Sequence, residues 1–263
     1  MEKISSLQNN KIKNIVKLAK NRERREQHLF IIEGARELSL ALSAHYKIES
    51  VFICPELFSK TDYPDVLQTI AEEKLFEVSK EVFEKIAYRE GSDGLLTLAQ
   101  PKGHSLNDLE LSDNPFIIIL ESVEKPGNLG AILRTADAAQ ADAVIVCDPA
   151  TDLYNPNAIR SSVGCMFTVP TAICSSSEAL SFLHEKKITT FAAELKASQW
   201  YQETDFRSPS AIIMGTEADG LTDFWLSNAD MRIKIPMRGK IDSLNVSVST
   251  AILTFEAMRQ RGF

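Results

Sequence analysis

Residues 116–147 read FIIILESVEKPGNLGAILRTADAAQADAVIVC. Two short apolar runs, Phe116 to Leu120 and Ala143 to Cys147, enclose a stretch that carries apolar residues at helical spacing from Leu129 to Ala139. Neither run alternates apolar with polar residues, so each suits a strand of a parallel sheet covered by helices on both faces. The pattern continues downstream. Strands are expected at Phe167 to Val169, Thr189 to Ala193, Ala211 to Met214 and Met231 to Ile235, and helices at Asn157 to Val163, Ser177 to His184, Asp223 to Asn228 and Asn245 to Arg261. Residues 115–263 therefore read as an α/β domain with a parallel sheet.

Upstream, residues 101–114 (PKGHSLNDLELSDN) are polar and aperiodic and form a candidate linker. Residues 1–100 before it read as a smaller α/β unit. Strands are expected at Phe30 to Ile32, Ile48 to Ile53, Leu75 to Val78 and Leu95 to Ala99, and helices at Ala35 to Ala44, Val66 to Glu73 and Lys80 to Tyr88. Ser5 to Gln27 suits one amphipathic helix capped by Ser5 or Ser6.

The chain has 263 residues, 44% apolar and 25% charged, a composition that excludes disordered, collagenous and disulfide-scaffold classes. Apolar runs such as Phe116 to Leu120 fall far short of the roughly 18 residues that cross a bilayer. The start of the chain lacks an apolar export segment, so a soluble cytoplasmic protein without membrane contact is expected. Cys54, Cys147, Cys165 and Cys174 show no metal-ligand spacing and read as buried filler, so no metal is expected. The net charge is −7, yet residues 1–28 hold eight basic residues against three acids. A basic segment on an acidic body suits either a solvated helix face or an element that meets nucleic acid.

In an open parallel sheet, ligands bind beyond the carboxyl ends of the strands. Three such loops stand out, at 121–136, 214–221 and 235–247, and together they hold five of the eleven glycines. Neither G-x-G-x-x-G, G-x-x-x-x-G-K-[ST] nor G-x-S-x-G occurs, which argues against dinucleotide, P-loop and nucleophile-elbow chemistry. The four histidines lie outside these loops. The polar residues left are Asn128, Arg134, Glu217, Ser243 and Asn245, an inventory suited to orientation and charge rather than to nucleophilic attack.

The stretches NLGAILRTA (128–136), GTEADGL (215–221) and IPMRGKIDSLNVSVS (235–249) resemble, in order and spacing, the three motifs of the SpoU/TrmH family of RNA ribose 2′-O-methyltransferases. The region from Ser5 to Ala99, with FIIEG at 30–34, is similar to that family's substrate-binding domain. The resemblance implies a C-terminal domain with a deep trefoil knot, a homodimer and S-adenosylmethionine as methyl donor. It implies a cofactor pocket at Gly215, Thr216, Ile235, Pro236, Met237 and Leu244. It puts Asn128, Arg134, Glu217, Ser243 and Asn245 at the active site, with Arg134 at the phosphate beside the target ribose, where it assists deprotonation, and Asn128 and Asn245 as positioning groups. Ribosomal RNA is favoured over transfer RNA as substrate, with no role for DNA. Arg232, Lys234, Arg238 and Lys240 form a candidate phosphate track. Lys125 stands before Pro126, where family members often carry an acid. An inactive RNA-binding or ribosome-assembly protein of the same fold is the alternative, as is a transfer RNA methyltransferase.

Overall fold

The computed structural model describes residues 1–58, 63–88 and 91–262. The chain forms two compact units, Met1–Gly103 with Asp152–Thr168, and His104–Thr151 with Val169–Phe263. The junction between Gly103 and His104 lies inside the stretch 101–114. The second domain is not continuous as its sequence suggests, because Asp152–Thr168 packs within the first unit.

In the first unit the chain runs β1 (Glu2–Ile4), α1 (Asn10–Lys17), α2 (Asn21–Gln27), β2 (Phe30–Glu33), α3 (Ala35–Ser43), β3 (Ile48–Ile53), α4 (Pro55–Phe58), β4 (Leu75–Val78), α5 (Lys80–Ile86) and β5 (Leu95–Ala99). The strands form one mixed sheet in the order β1-β4-β3-β5-β2. The single helix expected over Ser5 to Gln27 is two helices, and its cap is Asn9, whose side chain accepts from the Lys11 N–H at 2.8 Å. The break has a cause. Arg24, only 4% exposed, turns back to donate to the carbonyls of Leu18 and Ala19 at 2.8 and 2.9 Å, satisfying the end of α1. Arg24 is thereby removed from the basic residues that could meet nucleic acid. The helix expected at Val66 to Glu73 is replaced by 3-10 turns at Pro64–Leu67 and Glu72–Lys74, separated at an extended Ala71.

The rest of the chain runs β6 (Phe116–Glu121), α6 (Pro126–Ala138), β7 (Ala143–Cys147), α7 (Pro156–Ser161), α8 (Cys165–Thr168), β8 (Thr171–Cys174), α9 (Ser176–Glu185), β9 (Thr189–Ala193), β10 (Gln199–Trp200), β11 (Ser210–Met214), α10 (Asp223–Asn228), β12 (Met231–Lys234) and α11 (Val246–Gln260). Of these, α7 and α8 belong to the first unit. Phe167, expected in a strand, lies in α8, where its ring joins those of Phe30, Tyr46 and Tyr154 in an aromatic cluster. The strand begins only after Pro170.

The second unit is built on a seven-stranded parallel sheet in the order β10-β12-β9-β11-β6-β7-β8. Every residue of β6, β7 and β11 is buried, which is why these segments are apolar without alternation. One layer packs Ile117, Ile119, Ile145 and Ile213 against Leu183 and Trp225. Elsewhere in the unit α11 lies along α6. From β6 the chain steps outward through β7 to β8, then returns to the other side, where β11 is inserted between β6 and β9. Strand order reverses beside β6, the position where α/β sheets open a ligand crevice.

Candidate functional site

The loops that leave β6, β11 and β12 converge at this switch point. Glu121, at the end of β6 and 3% exposed, accepts from the N–H and hydroxyl of Thr222 at 2.8 and 2.6 Å. Thr222 is the N-cap of α10, so this buried carboxylate fixes where the β11 loop re-enters a helix. Between them, residues 215–221 fold into a tight turn with paired backbone bonds between Thr216 and Gly220 at 3.0 and 3.2 Å. Gly220 adopts φ +72°, and a Cβ on Gly215 would collide with the Gly220 carbonyl group. The turn projects Glu217.

Glu217 is met by side chains from the other two loops. Asn128, in the first turn of α6, donates its amide to Glu217 Oε1 at 2.8 Å. Asn245 donates to the same oxygen and to Asn128 Oδ1, the latter at 3.2 Å. Asn245 is also the N-cap of α11, with its Oδ1 accepting from the Ser247 N–H at 3.0 Å and hydroxyl at 2.6 Å, so its amide is free to face the cluster. Lys125 Nζ forms an ion pair with Glu217 Oε2. The Lys125 ammonium, then the Asn128 amide, with Asn245 adding to them, hold the Glu217 carboxyl below its ordinary pKa.

Beside this cluster lies a cavity of about 650 Å³. Gly215, Thr216 and Glu217 form one side, Ile235, Met237, Ser243 and Leu244 another, and Ala193 to Lys196 beyond β9 a third. Of the residues expected around a cofactor, only Pro236 does not line it. Ser243 lines the cavity and donates to Asp242 Oδ1 at 3.2 Å, outside the Glu217 cluster. Arg134 is exposed and makes no hydrogen bond or ion pair among the described residues. Six positions along α6 put it about 9 Å further down the axis from Asn128 and on another face. Sequence reading passed over Glu194 and Leu195 as cavity wall and Lys125 as a partner of Glu217. The first two were within reach, because they follow directly on a strand, Thr189 to Ala193, that is legible in the sequence.

The cavity fits a nucleoside bearing a cationic sulfonium. Its walls combine apolar Ile235, Met237, Leu244 and Leu253 with the acids Glu194, Glu217, Asp219, Asp223 and Asp242, against two lysines. Among the described residues no group of three His, Cys, Asp or Glu side chains could hold a metal ion.

Comparison with known proteins gives the family. Residues 115–255 match the model of the SpoU rRNA methylase family, and residues 9–97 match that of the MRM3-like substrate binding domain. The chain belongs to the SpoU rRNA methylase family. It is 28% identical over 255 residues to the 23S rRNA (guanosine(2553)-2'-O)-methyltransferase RlmP of Bacillus subtilis (strain 168), covering 97% of this chain and 98% of that one. It resembles a crystal structure of an RNA 2'-O ribose methyltransferase with 38% identity and a TM-score of 0.87, covering 99% of this chain and 100% of the other. An AdoMet-bound rRNA methyltransferase from Sinorhizobium meliloti superposes with a TM-score of 0.88 at 28% identity, covering 98% and 97%.

Proposed function

We infer that the protein is an S-adenosylmethionine-dependent methyltransferase that acts on a ribose 2′-hydroxyl of ribosomal RNA. The observation that carries this reading is the Asn128–Glu217–Asn245 cluster at the edge of a cavity suited to the cofactor. Family membership and the names of the relatives support the reaction and the class of RNA.

When bound, S-adenosylmethionine supplies an already activated methyl group, so the residues have to align the hydroxyl and help its proton leave. Gly215, Thr216, Ile235, Met237 and Leu244 hold the cofactor, with Pro236 fixing the backbone between two of them. Glu217 is engaged by three donors and held ionised, which makes it a weak base. It acts by fixing the amides of Asn128 and Asn245, which orient the ribose. Arg134 contributes electrostatically, its guanidinium pairing with the phosphate beside the target ribose and stabilising the developing alkoxide. Ser243 completes the wall beside the donor.

The same reading takes the enzyme as a cytoplasmic homodimer whose C-terminal segment threads a trefoil knot. Exposed Val248 and Phe255 on α11, 47% and 39% accessible, support a second copy covering this helix. No helix among the described residues is long and apolar enough to cross a membrane.

The test is transfer of a labelled methyl group from S-adenosylmethionine to ribosomal RNA lacking the modification, with transfer RNA in parallel. Label in ribosomal RNA alone is expected. Label in transfer RNA would move the substrate, and RNA binding without transfer would make the chain an inactive RNA-binding protein.

A further inference from the structure

Next to the cofactor cavity, a second groove of about 390 Å³ lies at the outer edge of the parallel sheet, against β10 and β12. Half-buried Trp200 of β10 lines it, with the Lys234 ammonium 4.4 Å from the ring centroid. Leu195 and Ile241 also line it, and at 57% and 64% exposure they are the two most exposed large apolar side chains among the described residues. Lys240 is part of the same wall, and Asp242 is its one acid.

These features do not belong to the catalytic cluster. The groove touches neither Asn128, Glu217 nor Asn245, but it shares Leu195, Lys234, Ile235, Met237 and Asp242 with the cofactor cavity. An indole with apolar neighbours and two lysines offers a stacking surface for a planar ring that carries a phosphate. An unpaired nucleotide has both parts: every base has a π-face, and its phosphate is drawn to lysine. An apolar partner surface would leave two ammonium groups to be desolvated without a counter-charge beyond Asp242.

We propose that this groove binds an unpaired base of the substrate RNA adjacent to the methylated nucleotide, stacked on Trp200 with its phosphate at Lys240. The proposal rests on the RNA methyltransferase reading and deepens it. It adds a substrate-RNA subsite at the sheet edge, separate from the place where the reacting ribose must lie.

The test measures KM for ribosomal RNA, kcat and S-adenosylmethionine affinity in the full chain and in Trp200→Ala, Trp200→Phe, Lys240→Ala and Ile241→Ser. Trp200→Ala should raise the RNA KM about tenfold, the scale of one lost base stack, with kcat and cofactor affinity within about twofold. Trp200→Phe should restore most of the loss. Lys240→Ala should raise KM and lower its salt slope by about one. Ile241→Ser changes an exposed loop residue, so a rise in KM there cannot be put down to misfolding at β10. Unchanged KM in all the variants, with wild type methylating RNA, would overturn the groove alone. Loss of self-association in Ile241→Ser without a change in KM would assign the groove to a second copy and overturn it too. Wild type that neither binds nor methylates RNA would overturn the reading beneath it.

Discussion

Asn128 and Asn245, 117 positions apart in sequence, donate their side-chain amides to the same carboxylate oxygen of Glu217. One comes from the start of α6 and the other from the cap of α11, so Glu217 ties together the openings of two helices that pack on each other. Glu217→Gln keeps one acceptor oxygen but turns the partner of Lys125 into a donor and removes the charge that strengthens both asparagine bonds. Turnover should fall by about two orders of magnitude, the scale of a lost positioned polar group, while cofactor affinity changes little. Steady-state kinetics beside calorimetric titration of S-adenosylmethionine checks both.

The pH dependence of this cluster follows from the lowered Glu217 value. A carboxyl depressed in the folded state keeps its paired form above its ordinary pKa near 4.3, and loses it only as pH falls through the lower folded value. Lys125→Met removes the largest cause of that depression, so acid-side loss of turnover should begin at higher pH than in wild type. Initial rates from about pH 6 down to about pH 3 report the shift.

Arg134 carries no structural bond among the described residues, so its removal should leave the fold untouched. Arg134→Ala should keep its melting temperature within about 1 °C and retain cofactor affinity while losing turnover. Unchanged turnover would remove Arg134 from the mechanism.

Gly215→Ala drives a methyl group into the Gly220 carbonyl and opens the turn that carries Glu217. Overpacking of this kind costs about 1–3 kcal/mol, and cofactor binding should weaken at least tenfold. Thermal melting and cofactor titration read the two effects separately.

In the first unit, Arg24 and Asp152 form a buried ion pair at 2.6 Å, with side-chain exposures of 4% and 17%. Asp152→Ala leaves the guanidinium without its counter-charge and should destabilise the protein by about 3 kcal/mol, measured by urea denaturation. Adding Arg24→Met should recover part of that loss.

Much of the fold was legible because strands buried on both faces, such as Ala143–Cys147, leave apolar runs, and a half-buried strand such as Leu75–Val78 leaves an alternation. Ile48–Ile53, Leu75–Val78, Ala143–Cys147 and Thr189–Ala193 lie where the hydrophobic pattern puts them. The misreadings arose where tertiary contacts override local pattern. Phe167 is apolar because it enters an aromatic cluster, not because it belongs to a strand, and α1 ends where buried Arg24, paired with Asp152, turns back onto the carbonyls of Leu18 and Ala19. β1 and β10 are too short to carry a period of their own. At the site, the glycine-rich loops revealed the Asn128–Glu217–Asn245 meeting point and the cavity wall. The partnership of Lys125 with Glu217 was hidden, because it depends on two loops that are 92 positions apart.

The central claim is tested most directly by mass analysis of nucleosides from ribosomal RNA treated with the enzyme and labelled S-adenosylmethionine. The account predicts the label on a 2′-O-methylnucleoside, and its loss in Glu217→Gln. Label on a base, or no label despite bound cofactor and RNA, would contradict it.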